Sequence, residues 1–464
     1  MSRRRRRRGS SQAELFARSK RPTIPIDESH RLVVLTDSLD WTELEIRAEA
    51  IRASKLKSAA GRPPHLRALL GAMVLRATRY MPLRVLADQI RYYAPARYLC
   101  GLTETEWSPD YRTLHDFFKL MGEEGVRLAN EYVVDLAVEE ELADPTALVA
   151  DTTAQQAAIP YPNEMGLMAR FIASVVAASK RAGRALTTFA RKVAGKVKAA
   201  QKKVREYRLF AKKKKQKDKA MLEMADIVDG VQRSLGKAIK AMGGKKARVS
   251  KYGKVARAKV VELHATMAKL LPQIRYWVET GWVASDKVIS LHMPELYSIV
   301  RGKVGKKVEF GLTWGIRRLR GGFVLATMAN SKTELHDTKY AVSAVDEHIA
   351  LFGKPPKEYG YDRGGWTTEN VSELQRMGVK RVGLAPRGSA GWAVDEATKK
   401  RLARERAQIE GCIGTAKHSK YGFDRPAARS AEMMGTCGQL AVLGFNVNKV
   451  ARELAKRDGV VLVG

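Results

Sequence analysis

Two short stretches decide how this chain is expected to fold: ALVADTTAQQ at 147–156 and EYGYD at 358–362. Each is an apolar run that reaches an aspartate, Asp151 in the first and Asp362 in the second. The first reads as a buried strand with its carboxylate at the end. The second reads as a strand whose Asp362 precedes the turn Arg363-Gly364-Gly365. Between them, KKVEFGLTWGI (306–316) and FVLATMANS (323–331) predict a hairpin across the basic, glycine-containing turn RRLRGG. Helical patterns at 338–353, 367–378 and 394–419 alternate with EYGYD and with the strand RVGLAP at 381–386. Strands and helices in this order give an α/β fold with a mixed sheet.

Upstream, His30 to Glu141 is helical in pattern. Pro63-Pro64 opens HLRALLGAMVLRATRY, Pro82 opens LRVLADQIRYYA, and Asp110 caps LHDFFKLMG. Short helices broken by Pro and Gly, with Arg and Tyr between them, suit a helix-turn-helix-like DNA-binding unit and equally a plain helical bundle. The stretch 163–285 is rich in Ala, Lys and Arg, with Gly243-Gly244 near its middle, and predicts a long helical hairpin too polar for a core of its own. Residues 1–28 predict a basic tail, unfolded until bound.

The charge is concentrated. The chain has 84 Lys+Arg against 49 Asp+Glu, a net of +35 over 464 residues. Residues 1–21 carry nine basic side chains against one acid, and residues 165–270 carry 29 against six, so these two blocks hold +31 of the excess. Such blocks attract a polyanion, because every phosphate neutralised releases condensed counterions. Lys212, Lys213, Lys214 and Lys215 are the densest run and are assigned to DNA. Anionic membrane fits less well, since the block lacks the apolar face of an interfacial helix. No apolar run approaches the ~18 residues of a membrane span. Three scattered cysteines and eight histidines without ligand spacing exclude a disulfide scaffold and a zinc hydrolase, and fit a reducing compartment.

Phosphodiester chemistry with two metal ions needs hard oxygen ligands. Asp151, Asp362 and Glu410, the last in RERAQIEGCIGTAKHSKYGFDR, form a candidate trio. Alone, a strand-terminal Asp is commonly a turn or helix cap and a helical Glu a surface residue, so the trio draws its force from context. Asp337 reads as the N-cap of the helix over 338–353. Trp366 and Trp392 read as core residues or as platforms for a frayed DNA end.

With these motifs the chain resembles bacterial insertion-sequence transposases of the DDE type, from about His30 to the C-terminal helix. RPPHLRALLGAMVLRATRYMPLRVLADQI and LCGL…SPDYRTLHDFF are similar to the helical domain before the core. DTTAQQAAIPYPNEMGLM is similar to the first-aspartate motif, SLHMPELYSIVRGKVGKKVEFGLTWGI to the second strand region, and YGYDRGG to the second-aspartate motif. Arg406, Glu410 and Lys417 reproduce the R-x3-E-x6-K spacing of the Y-R-E-K signature. Ala403 stands where that signature has Tyr, and Thr152-Thr153 follow Asp151 where many relatives carry Gly-Thr.

The resemblance implies an RNase H-like catalytic core over 141–162 and 286–455, an N-terminal all-α DNA-binding domain over 29–140, and a basic helical-hairpin insertion over 163–285. It implies two Mg²⁺ or Mn²⁺ ions held by Asp151, Asp362 and Glu410, with Arg406 and Lys417 on the DNA backbone. The implied function is cleavage at element ends and attack of the freed 3′-hydroxyl on target double-stranded DNA, by a homodimer or larger assembly in the bacterial cytoplasm at the nucleoid. A nuclease of the same superfamily without strand transfer, or a domesticated DNA-binding protein, would share much of this sequence.

Overall fold

The computed structural model describes residues 26–56, 64–242, 250–303, 306–386, 391–392 and 394–463. The expected basic tail falls outside the described residues except for its last three positions, and Gly243-Gly244 also falls outside them.

The described chain begins with the helices α1 (Arg31–Ser38), α2 (Trp41–Lys55), α3 (Leu66–Thr78), α4 (Leu83–Tyr92), α5 (Ala94–Leu99) and α6 (Tyr111–Glu139). Asp40 starts α2 by accepting from the N–H groups of Thr42 and Glu43. Asp110 starts α6 by accepting from Thr113, as the sequence predicts. Helix α6 runs past Gly122, whose φ of 61° kinks it. Helix α3 is buried from Ala68 through Thr78, so it is a core helix with no face left for a DNA groove. Helix α4 shows solvent a basic, aromatic face, with Arg84, Arg91 and Tyr92 exposed and Leu86 and Ile90 buried, and the start of α6 exposes Arg112, His115 and Lys119.

Strand β1 (Asp144–Gln156) follows, then helices α7 (Glu164–Ser179), α8 (Arg184–Phe210), α9 (Lys214–Lys240) and α10 (Lys251–Thr280). The expected hairpin is therefore four helices. They share a core of their own, including Phe171, Leu186, Val228 and Leu263, which corrects the expectation that this stretch is too polar to pack. The lysines occupy the outer faces, while Ala, Val, Leu and Met recur at helical spacing inside.

The sheet is completed by β2 (Tyr297–Lys303), β3 (Lys306–Arg320), β4 (Val324–Met328), β5 (Glu358–Tyr361) and β6 (Arg381–Leu384). Its order is β2-β3-β1-β5-β6, with β4 also on β3. β1, β5 and β6 are parallel; β3 runs antiparallel to β1, β2 and β4. The sequence placed Arg317 to Arg320 in the hairpin turn, but β3 continues through them and turns only at Gly321-Gly322. Arg317 and Arg318 are buried there and pair with Glu347 and Glu405.

Helices α11 (Asp337–Phe352) and α12 (Thr368–Arg376) connect the strands, and α13 (Glu396–Ala416) and α14 (Ala431–Arg457) end the fold. Strand alternation sorts the two sheet faces. Leu148 and Ala150 join Tyr340, Ala341 and Ala344 of α11, while Val149 joins Ile409 of α13. Helix α14 is buried for most of its length and packs on α3, α6 and β4. One continuous core thus runs from Leu32 to Leu454, so the N-terminal helices are fused to the sheet rather than appended to it.

Candidate active site

Asp151 does not end β1. The strand continues to Gln156 along β3, where Asp151 faces Ile316, but its pairing with β5 stops at Val149 and Gly360. Asp151 therefore sits where β1 loses one neighbour. Continuing the parallel register by two residues sets it beside Asp362, across strands about 4.8 Å apart. Asp362 terminates β5 and caps the single 3-10 turn Arg363–Gly365, its Oδ1 accepting from the Gly364 N–H at 2.7 Å. Asp151 Oδ1 accepts from the Thr152 N–H at 2.7 Å.

Glu410 comes to the same place on α13, which is fixed to the sheet along its length. Arg401 forms two bonds to Glu358 of β5, at 2.7 and 2.9 Å. Glu405 pairs with Arg318 of β3, Ile409 is buried against Val149, and Lys417 donates to the Ala154 carbonyl of β1. These ties turn the exposed Glu410, one position after Ile409, towards the sheet edge. Asp151, Asp362 and Glu410 line one open cleft of about 980 Å³, together with Thr152, Tyr297, Lys332, His336, Asp337 and Lys417.

The remaining expected residues divide. Lys417 lines the cleft, but its ammonium is turned inward onto the Ala154 carbonyl, with Asp424 at 3.8 Å. It joins α13 to β1 as well as facing the cleft. Arg406 is half-buried one turn before Glu410 and is not part of the cleft wall. Lys212 to Lys215 do not line the cleft; they are exposed at the α8–α9 turn of the insertion. Trp366 packs on the main core, and Lys399 stands 5.8 Å from the Trp392 ring.

Asp337 differs from its expected role. His336 is the N-cap of α11, and Asp337, the first helical residue, makes no cap bond. Its carboxylate instead accepts from Thr152 Oγ1 at 2.9 Å and from the Tyr361 hydroxyl at 3.3 Å. Burial, then the neighbouring Asp337, pushes the Tyr361 hydroxyl far above the ordinary phenol range, so it stays a donor. The cleft floor therefore holds a fourth carboxylate that sequence reasoning assigned to a cap. The available signal was alternation: Thr152 must face opposite to Asp151, towards α11.

Among the described residues, no group of three or more Asp, Glu, His or Cys side chains is arranged to hold a metal ion as it stands. The acidic residues share a cleft without being drawn together at one point. Their donor chemistry, hard carboxylate oxygen, is nevertheless the kind that Mg²⁺ and Mn²⁺ take. Among the described residues, no helix is long and apolar enough to cross a membrane.

Residues 22–120 match the family described as Transposase domain (DUF772), which covers the helices α1 to α5 and the start of α6. No curated protein and no solved structure matches the chain. The family match supports a transposase function in general terms.

Proposed function

We propose that this protein is a DNA transposase of the DDE type, with an RNase H-like catalytic core. One observation carries the reading: two aspartates at the edge of adjacent parallel strands and a glutamate from the helix packed over them line one cleft, in a chain whose N-terminal helices match a transposase domain. The strand order, with β3 antiparallel to β2 and β4 on one side of the three parallel strands β1, β5 and β6, supports the fold assignment.

Asp151 and Asp362 would hold divalent Mg²⁺ or Mn²⁺, two ions in all, with Glu410 rotating in to complete the set. A bound cation of this kind supplies Lewis-acid charge that lowers the pKa of an attacking oxygen and stabilises a leaving oxygen. The chain's own residues do the rest. The Arg401–Glu358 and Arg318–Glu405 pairs hold α13 against β5 and β3, which keeps Glu410 on the cleft that Asp151 and Asp362 line. Lys332 on the cleft wall would offset phosphate charge, and Lys417 would do so only on leaving the Ala154 carbonyl for the cleft. The lysine-covered insertion contributes sequence-independent affinity. Successive use of the cleft first cuts an element end and then joins its 3′-hydroxyl to target DNA. Holding two ends at once calls for at least a dimer on DNA.

The test is a cleavage and joining assay with a labelled donor-end duplex, a target plasmid and Mg²⁺. Asp362→Asn is expected to lower both steps by roughly a hundredfold or more, the scale of losing a preorganised charge-stabilising group, while duplex binding stays within about twofold. Cleavage by Asp362→Asn at the wild-type rate overturns the reading. Cleavage without any joined product would instead make the protein a nuclease.

A further inference from the structure

Apart from the acidic cleft, a second cavity of about 430 Å³ lies where the insertion meets the sheet. Its walls come from the segment after β1, from α7 and α10, from residues 289–293, and from the α13–α14 connection. This volume is at the low end of the roughly 300–1,000 Å³ typical of small-ligand sites, which suits one flat ring with its substituents and not a duplex. The cavity adjoins the acidic cleft. The Leu296 N–H bonds the Met293 carbonyl, and this turn joins His292 and Met293 of the cavity wall to Tyr297 of the cleft wall.

Two kinds of group converge on it. Arg170 of α7, Lys259 of α10 and Arg429 line the cavity. Lys259 is paired with Glu262 at 2.6 Å, whereas among the described residues no ion pair engages Arg170 or Arg429. The second is Tyr161, an aromatic that is 78% exposed. Pro160 and Pro162 fix the backbone on either side. Phe310 meets the Tyr161 ring edge to face, with centroids 5.3 Å apart at 87°. Partial desolvation, then the nearby Lys259, hold the His292 imidazole below its usual range, so it faces the cavity as a neutral hydrogen-bonding group.

An aromatic ring open to solvent and braced by Phe310, beside guanidinium groups that no carboxylate pairs among the described residues, has the makeup of sites that hold unpaired strands. Bases stack on such rings, and the cations follow the phosphates. We infer that this cavity holds one unpaired nucleotide of a DNA strand, its base on Tyr161 and its phosphates at Arg170 and Arg429. The inference rests on the DNA-processing reading above and adds a separate site to it.

The full chain is titrated with two labelled probes of equal length, a single-stranded oligonucleotide carrying 2-aminopurine and a blunt duplex. Tyr161→Ala is expected to weaken single-strand binding about tenfold, the scale of one lost base stack, and to relieve 2-aminopurine quenching, with duplex binding changed less than twofold. Tyr161→Phe keeps the ring and is expected to retain single-strand affinity. Arg170→Gln combined with Arg429→Gln is expected to weaken single-strand binding and flatten its salt dependence. An unchanged thermal midpoint for Tyr161→Ala shows that the fold is intact. Equal loss on both probes, or no loss on the single strand, overturns the nucleotide site and leaves the transposase reading standing. A wild-type chain that binds neither probe overturns both.

Discussion

The cleft depends on single atoms at its floor. A Cβ placed on Gly364 would lie 2.7 Å from Asp337 Oδ2 and 2.9 Å from its Cβ, closer than real side chains approach. Gly364→Ala is therefore expected to displace Asp337 from Thr152 and Tyr361, at a cost of ~1–3 kcal/mol of stability, the range for overpacking. Denaturant unfolding would measure it, and an unchanged midpoint would show that the floor yields freely. The same few residues mark how much of the site the sequence revealed. Asp151 and Asp362 stand out in the sequence because apolar runs lead into them, whereas Glu410 is singled out only by the resemblance to the R-x3-E-x6-K spacing; the structure sets all three on one cleft. Asp337 was legible only as an acid at a helix start, since local statistics favour a cap. Its partners Thr152 and Tyr361 are 185 and 24 residues away and reach it only through tertiary packing.

Elements are joined by a small number of buried charges. Glu358, with its side chain 8% exposed, accepts from Arg320 of β3, Arg381 of β6 and Arg401 of α13. Burial alone would raise its pKa, but the bonds from Arg401, Arg381 and Arg320 outweigh that and hold it below the ordinary glutamate range. A depressed folded value means that its stabilisation is present above 4.5, the usual glutamate figure, and is lost as the pH falls through the lower folded value. Glu358→Gln is expected to cost roughly 2–4 kcal/mol at neutral pH, less than a wholly buried pair because the three arginines are partly exposed. Its stability should fall less steeply in acid than wild type. Chemical denaturation at pH 7 and pH 3.5 would check both points, and parallel acid profiles would remove Glu358 from the account. At this scale the strands and connecting helices followed from hydropathy pattern, with ends shifted by a few residues. The Arg317–Arg320 segment was misplaced in a turn because arginine is usually exposed. Here each buried guanidinium finds a carboxylate on a helix that local sequence does not reveal.

Across the whole molecule, charge and apolar pattern occupy different surfaces of the same helices. Composition showed the insertion's basic excess, and that excess concealed the Ala, Leu, Val and Met positions that make it a four-helix unit. Lys212 to Lys215 stand exposed at the turn between α8 and α9 of this unit. Replacing all four with Gln is expected to weaken binding to every duplex alike and to reduce the slope of log affinity against log salt by roughly 1 for each phosphate no longer neutralised. Titrations at several salt concentrations with unrelated duplexes would reveal it, and a weakening limited to one sequence would contradict it. The insertion also bears on how the polymer reaches its native state. The pairing of Asp151 with Ile316 closes a span of 165 residues, a slow search for an open coil. Within that span, Glu164 pairs with Lys287 and Gln273 bonds Val288, so the two ends of the intervening segment are clasped by interactions internal to it. Early formation of these local helices would bring β1 close to the β2–β3 segment before β1 and β3 pair, which turns an obstacle to rapid acquisition of structure into its guide.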